Sequence, residues 1–138
     1  MTNEDGFNLE DRTAVFGERI IAFAKRVPIN PVNSPLISQL VRAGTSIGAN
    51  LAEASAGQTK PDFIAKTCVS LKEAREARYW LLLIIATRGA LQPAAQPLLE
   101  EARELVKILT TIVKNARSNP PPRVCAVARR YAASFVGR

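Results

Sequence analysis

Residues 34–54 read SPLISQLVRAGTSIGANLAEA, and this segment indicates the kind of fold more clearly than any other part of the chain. Ser34 as N-cap and Pro35 at the first helical position form a strong helix start. Apolar residues then recur at steps of three or four, which predicts one buried helix face. That face consists of Leu36, Leu40, Ala43, Ile47, Leu51 and Ala54. Gly44 and Gly48 each cost about 1 kcal/mol relative to alanine inside a helix, so we expect a neighbouring helix to approach closely there.

A first helix precedes this segment. Asp11 is a suitable N-cap, and Pro28 ends the pattern because proline lacks the amide donor that a helix interior needs. Its apolar face is formed by Phe16, Ile20, Phe23 and Val27.

A third helix follows residue 58. Thr59 and Asp62 have the spacing of a capping box, and the helix is predicted to run to about Arg88, before Gly89. Its main apolar stripe consists of Ile64, Cys68, Leu71, Ala74, Leu81 and Ile85. Over residues 80–85 the apolar side chains cover most of the circumference, and such a helix must be covered on more than one side. In a chain this short, that pattern favours a partner subunit.

A fourth helix begins at Pro93 or Pro97 and ends near Ser118. No segment alternates with a period of two, and the loops are short. The prediction is therefore an all-α protein, an antiparallel up-down-up-down four-helix bundle over residues 12–118. Residues 1–11 are an acidic N-terminal segment. Residues 119–138 are a Pro-rich linker and a basic tail, which either forms a short amphipathic helix or stays mobile.

The charge balance points to a polyanionic partner. The formal net charge is +7, and because residues 1–11 contribute four acids and no base, residues 12–138 carry +11. A basic excess of this size attracts nucleic acid or an anionic membrane surface, and simple solubility is the plain alternative.

The residue types present argue against catalysis. The chain has no histidine, so it offers no imidazole base and no histidine metal site. Cys68 and Cys125 lie too far apart to form a zinc site unaided, and no glycine-rich phosphate loop is present. Acidic pairs such as Glu73 and Glu76 are flanked by basic residues at helical spacing, as in surface ion pairs. We expect no enzymatic activity and no cofactor or metal.

The expected location is the cytoplasm. Residues 1–11 contain no secretory signal, and the longest apolar run, residues 79–86, falls far short of the roughly 20 residues that span a bilayer. No membrane partner is therefore expected. Both cysteines are predicted to be free thiols, with a disulfide between them as the alternative.

The second helix also carries a polar stripe at steps of three or four, which is formed by Gln39, Arg42, Ser46, Asn50 and Glu53. A solvated face is one interpretation. The neighbouring positions are small or apolar and the helix has no lysine, so we favour a partly buried hydrogen-bonding network that fixes helix register or subunit docking.

Basic side chains suited to phosphate contacts occur on the last two helices and in the tail. They are Lys60, Lys66, Lys72, Arg75, Lys107, Lys114, Arg117, Arg123, Arg129 and Arg130. The chain has only eight aromatic residues, so base stacking would be minor and binding mainly electrostatic. A solvated-surface role is the alternative for each of them.

Residues 39–53 resemble the signature of the bacterial "four helix bundle protein" family, approximately Q-[IL]-x-R-[AS]-x-x-S-I-x-A-N-[IL]-A-E-[GA]. Residues 62–64 (DFI), 70–76 (SLKEARE) and 78–81 (RYWL) resemble the third-helix motifs of that family, which include Glu73, Tyr79 and Trp80. The resemblance covers roughly residues 16–116. One departure is Ala54, where the family usually has glycine.

That family includes the protein encoded in intervening sequences of large-subunit ribosomal RNA genes and the accessory variability determinant (Avd) of diversity-generating retroelements. The resemblance implies a ring-shaped homo-oligomer, five-fold in known members, and no enzymatic activity. For the retroelement branch it implies binding of nucleic acid (RNA or DNA) and a reverse transcriptase partner. Two hypotheses follow. The first is a nucleic-acid-binding accessory protein, and the second is an adaptor whose basic face meets an acidic protein.

Overall fold

The computed structural model describes residues 8–118, which form four α-helices with no strand among them. The helices are α1 (Leu9–Arg26), α2 (Ser34–Ser55), α3 (Lys60–Thr87) and α4 (Gln92–Ser118), with a 3-10 turn (Gly89–Leu91) before α4. The all-α four-helix prediction is therefore confirmed. The predicted linker and tail, and the first seven residues of the acidic segment, lie outside the described residues.

Side chains of the loops set the helix starts. α1 begins two residues before Asp11, because Asn8 is its N-cap and accepts a hydrogen bond from the Glu10 amide at 2.8 Å. Asp11 therefore lies in the first turn, where its charge is favourable to the helix dipole. For α3 the predicted cap is correct, since the Thr59 hydroxyl accepts from the Asp62 amide at 3.1 Å.

The start of α2 is one residue earlier than predicted, because Asn33 holds the N-cap position and Ser34 is already helical. The Asn33 side chain stabilises the preceding loop instead of capping the helix. Its amide donates to the Pro28 carbonyl at 2.8 Å, and its Oδ1 accepts from the Asn30 amide at 2.8 Å. α4 starts at Gln92, so that Pro93 lies in its first turn and Pro97 inside it.

Each helix packs against the next one along the chain, and α1 also contacts α4. The apolar face predicted for α2 is largely buried, except that Ile37 takes the buried position instead of Leu36. The stripe predicted for α3 was only partly correct, because α3 lies against both α2 and α4 and buries residues on two sides. The buried residues of α3 are Lys60, Thr67, Ser70, Leu71, Glu73, Ala74, Ala77, Leu81 and Ile84.

The glycines of α2 mark a close crossing with α1, as predicted. A Cβ added to Gly44 would lie 2.9 Å from Cγ1 of Ile20, and one added to Gly48 would lie 3.1 Å from Oγ1 of Thr13. The small residues therefore allow the two helix axes to approach, and burial of the fully buried Ile20 offsets their cost. None of the described helices has the length and hydropathy needed to cross a bilayer.

Candidate nucleic-acid interface

A groove of about 580 Å³ runs between α3 and the C-terminal part of α4. Three of the predicted phosphate-binding residues line it together, namely Arg75 from α3 and Lys114 and Arg117 from α4. Leu71 and Val113 supply its apolar lining. The bundle therefore brings cations from two helices to one concave surface, although they are up to 42 positions apart in sequence.

The groove is electropositive because three cations line it and no carboxylate does. Within residues 8–118, none of the three cations forms an ion pair with a carboxylate. The Arg117 guanidinium donates from Nη2 to Sγ of Cys68 at 3.3 Å, which orients the guanidinium but leaves its charge uncompensated. Lys72 lies exposed on α3 one turn before Arg75. Such a surface is suited to an anionic ligand.

The other predicted phosphate-binding residues are placed differently. Lys66 pairs with Glu53 at 2.6 Å, and Lys107 pairs with Glu104 at 3.3 Å, so both have a carboxylate partner on the surface. Lys60 is only 6% exposed at the start of α3. Arg123, Arg129 and Arg130 lie outside the described residues. The structure thus distinguishes the groove cations from the others, which sequence position alone does not.

Arg42 is the centre of the polar stripe on α2. Its Nε donates to Oε1 of Gln39 at 2.9 Å, its Nη1 to Oε2 of Glu73 at 2.9 Å, and its Nη2 to Oε2 of Glu76 at 3.2 Å. The hydrogen bond to Glu76 raises the pKa of Arg42 above its usual value. Since Glu73 and Glu76 belong to α3, the network joins two helices of one chain.

Glu53, at the other end of the stripe, also reaches α3 through its ion pair with Lys66 at 2.6 Å, whereas Ser46 and Asn50 bond only within α2. Ser46 donates to the Arg42 carbonyl at 2.6 Å and Asn50 to the Ser46 carbonyl at 2.8 Å, both within α2. The buried hydrogen bond from α3 to α2 comes instead from Ser70, whose hydroxyl donates to the Ile47 carbonyl at 2.7 Å. Ser70 was not among the predicted site residues, although it is the first residue of the SLKEARE stretch that resembles a third-helix motif of the family.

A second ion pair joins α1 to α4. The Arg12 guanidinium donates from Nε and Nη2 to the two carboxylate oxygens of Glu101, both at 2.7 Å. This bidentate hydrogen bond raises the pKa of Arg12. No local spacing pattern predicts the pair, because its members come from the first and last helices.

The tyrosine and tryptophan of the RYWL motif lie on α3. Their rings meet edge to face with centroids 5.2 Å apart. Tyr79 is 53% exposed, and Leu82, one turn further on, is 41% exposed. The Trp80 Nε1–H is buried and has no acceptor among the described residues. The apolar stretch at residues 79–85 is thus partly covered by the bundle and partly exposed.

Comparison with known proteins gives the family. A family model described as 23S rRNA-intervening sequence protein matches residues 9–111. The chain belongs to the 23S rRNA-intervening sequence protein family. A solved structure from Bacteroides thetaiotaomicron, described as a protein with unknown function from the S23 ribosomal protein family, is 35% identical with a TM-score of 0.68. That match covers 78% of this chain and 99% of the other. No curated protein matches the chain.

The family match covers only part of the groove. Its range includes all of α1, α2 and α3, with the Arg42 network and Arg75. It ends at residue 111, before Lys114 and Arg117. The electropositive groove therefore includes residues of α4 that lie beyond the family match.

Proposed function

We propose that this member of the family is a non-enzymatic accessory protein that binds nucleic acid at the α3–α4 groove. One observation carries the proposal. Arg75, Lys114 and Arg117 converge on a concave surface that no carboxylate lines, and none of them has an acidic partner within the described residues. Phosphate contacts by such side chains supply most of the affinity in sequence-independent binding.

The composition of the chain supports the proposal, because the net charge of +7 is of the sign that a polyanion requires. The absence of histidine from the chain removes the commonest general base, which favours a binding role over a catalytic one. The resemblance to Avd supports a more specific proposal, in which the protein assists a reverse transcriptase.

We also propose that the protein acts as a homo-oligomer, with a five-fold ring as the form that the resemblance implies. The outward side of α3 supports association, since Val69, Tyr79 and Leu82 are between 39% and 53% exposed on one helix. Burying these side chains against a second copy would remove apolar surface from water.

The test is a salt-titrated binding measurement with short labelled oligonucleotides. The groove variant is Arg75→Gln, Lys114→Gln, Arg117→Gln, and we expect it to lose about 100-fold in affinity at low salt, since each contact contributes about 1 kcal/mol. The slope of log affinity against log salt should fall by about 2 to 3, because each phosphate contact contributes roughly 0.7 to 0.9 to that slope.

The matched control removes the same charge from another surface. Arg19, Lys25 and Arg26 are exposed on α1, and their joint replacement by glutamine should change affinity less than about threefold if the groove is the site. Equal losses in the two variants would contradict the proposal, as would binding that ignores ionic strength. Recovery of an acidic protein from cells, with no affinity for any oligonucleotide, would favour the adaptor hypothesis instead.

A further inference from the structure

We propose that the α3–α4 groove selects an unpaired RNA strand over DNA and over duplexes. This inference rests on the proposed nucleic-acid binding and specifies its ligand. In the proposed complex, Arg75, Lys114 and Arg117 bind the phosphates. The hydroxyls of Thr110 and Ser118 accept hydrogen bonds from ribose 2′-hydroxyls.

The shape of the site favours an unpaired strand. The groove is an open depression of about 580 Å³, so that one nucleotide can lie in it while the rest of a strand continues over the surface. A duplex presents its phosphates on a convex cylinder and makes little use of such a groove, whereas a single strand can place a sugar or base in it. Leu71 and Val113 offer that sugar or base an apolar contact, while the cations hold the phosphates.

The hydroxyls of the groove supply the chemical distinction between RNA and DNA. Oγ1 of Thr110 donates to the Val106 carbonyl at 2.6 Å, and Oγ of Ser118 donates to the Lys114 carbonyl. Each hydroxyl has a single hydrogen, so these two present only lone pairs to a ligand. A ribose 2′-hydroxyl can donate to such lone pairs, and deoxyribose has no group that can replace it.

The guanidinium of Arg117 is positioned for a ligand. Its bond to Sγ of Cys68 engages one N–H of Nη2 at 3.3 Å and leaves the other donors available. A guanidinium whose orientation is fixed beforehand loses less side-chain entropy when it binds phosphate. Arginine planes also stack on unpaired bases, which suits a site that has no aromatic residue in its lining.

The experiment compares four probes of one sequence on the full-length protein by fluorescence anisotropy: single-stranded RNA, single-stranded DNA, duplex RNA and duplex DNA. We expect single-stranded RNA to bind about tenfold more tightly than single-stranded DNA, as two added hydrogen bonds imply, and both duplexes to bind more weakly still. The double variant Thr110→Val, Ser118→Ala should bind the two single strands equally and keep its affinity for single-stranded DNA within about twofold.

A control variant separates the groove from the loss of hydroxyls in general. Thr111 is exposed on α4 outside the groove lining and makes the same kind of bond to its helix, and Ser55 is exposed at the end of α2. The variant Thr111→Val, Ser55→Ala should therefore keep the RNA preference.

The failures are distinguishable. Salt-dependent binding with no preference for RNA, with tighter binding of a duplex, or with an RNA preference that survives Thr110→Val, Ser118→Ala would overturn the inference and leave nucleic-acid binding standing. The absence of binding to every probe would overturn both.

Discussion

Arg42 shows how one residue of the α2 motif stabilises the bundle. Its guanidinium bridges α2 and α3 through Glu73, whose side chain is only 8% exposed. A buried carboxylate without a hydrogen-bonding partner lowers the stability of the folded protein, so Arg42 has a structural role.

Arg42→Ala should therefore lower the free energy of unfolding by about 2 kcal/mol, since it leaves the Glu73 carboxylate without its charged donor. Glu73→Gln keeps an oxygen acceptor for Arg42 and should cost less than about 1 kcal/mol. Urea denaturation followed by circular dichroism measures both. Lys107→Ala, which removes the exposed pair with Glu104, serves as the control and should change stability by under about 0.5 kcal/mol. A loss for Arg42→Ala no larger than for this control would disprove the structural role.

At the scale of elements, the crossing of α1 and α2 depends on which glycine faces which side chain. A Cβ on Gly44 would meet Ile20 at 2.9 Å, whereas a Cβ on Gly17 would find its nearest neighbour, the Gly44 carbonyl oxygen, at 3.6 Å. Of these two glycines, only Gly44 must be small to avoid an overlap, whereas the position of Gly17 has room for a methyl group.

We expect Gly44→Ala to destabilise the protein by about 1 to 3 kcal/mol, because the overlap with Ile20 exceeds the gain in helix propensity. Gly17→Ala makes only ordinary contacts and should stabilise the protein by up to about 1 kcal/mol. Thermal unfolding of the two variants tests the difference. The same sign for both changes would show that the packing of this crossing is not the cause.

Local sequence patterns predicted the positions of the helices better than the contacts between them. Apolar spacing located four helices, but of the three predicted N-caps only Thr59 was correct, since Asn8 and Asn33 hold the cap positions of α1 and α2. The stripe of α3 was predicted less well, because covering on more than one side was expected only over residues 80–85, whereas α3 packs against both α2 and α4 and also buries Thr67, Ser70 and Glu73. The Arg12–Glu101 pair and the groove depend on how distant helices align, which no local spacing encodes. The cations of the groove were named one by one, but their convergence was not predictable.

At the scale of the whole molecule, the charged groove and the exposed apolar part of α3 are two distinct surfaces, and each suits a different kind of partner. In the proposed function, the groove binds a polyanion. Tyr79 and Leu82 are the residues that a second copy would cover.

The variant Tyr79→Ser, Leu82→Ser should shift the protein to a smaller assembly, because it removes apolar surface from the proposed contact between copies. Light scattering coupled to size-exclusion chromatography measures the mass, and circular dichroism checks that the helices remain. The variant Ile29→Ser, Val32→Ser, on the exposed loop after α1, is the control and should keep the original mass. A natural protein that is monomeric at all concentrations would contradict the proposal at once.

The position of the groove at the end of α4 has one more consequence. Lys114 and Arg117 lie in the last two turns of that helix, and helix termini are the parts that open most readily. A ligand held by these two residues and by Arg75 would tether the terminus of α4 to the middle of α3. Occupancy and local folding would then be thermodynamically coupled, so that the same ligand which neutralises the surface would also suppress fraying of the chain's last described helix.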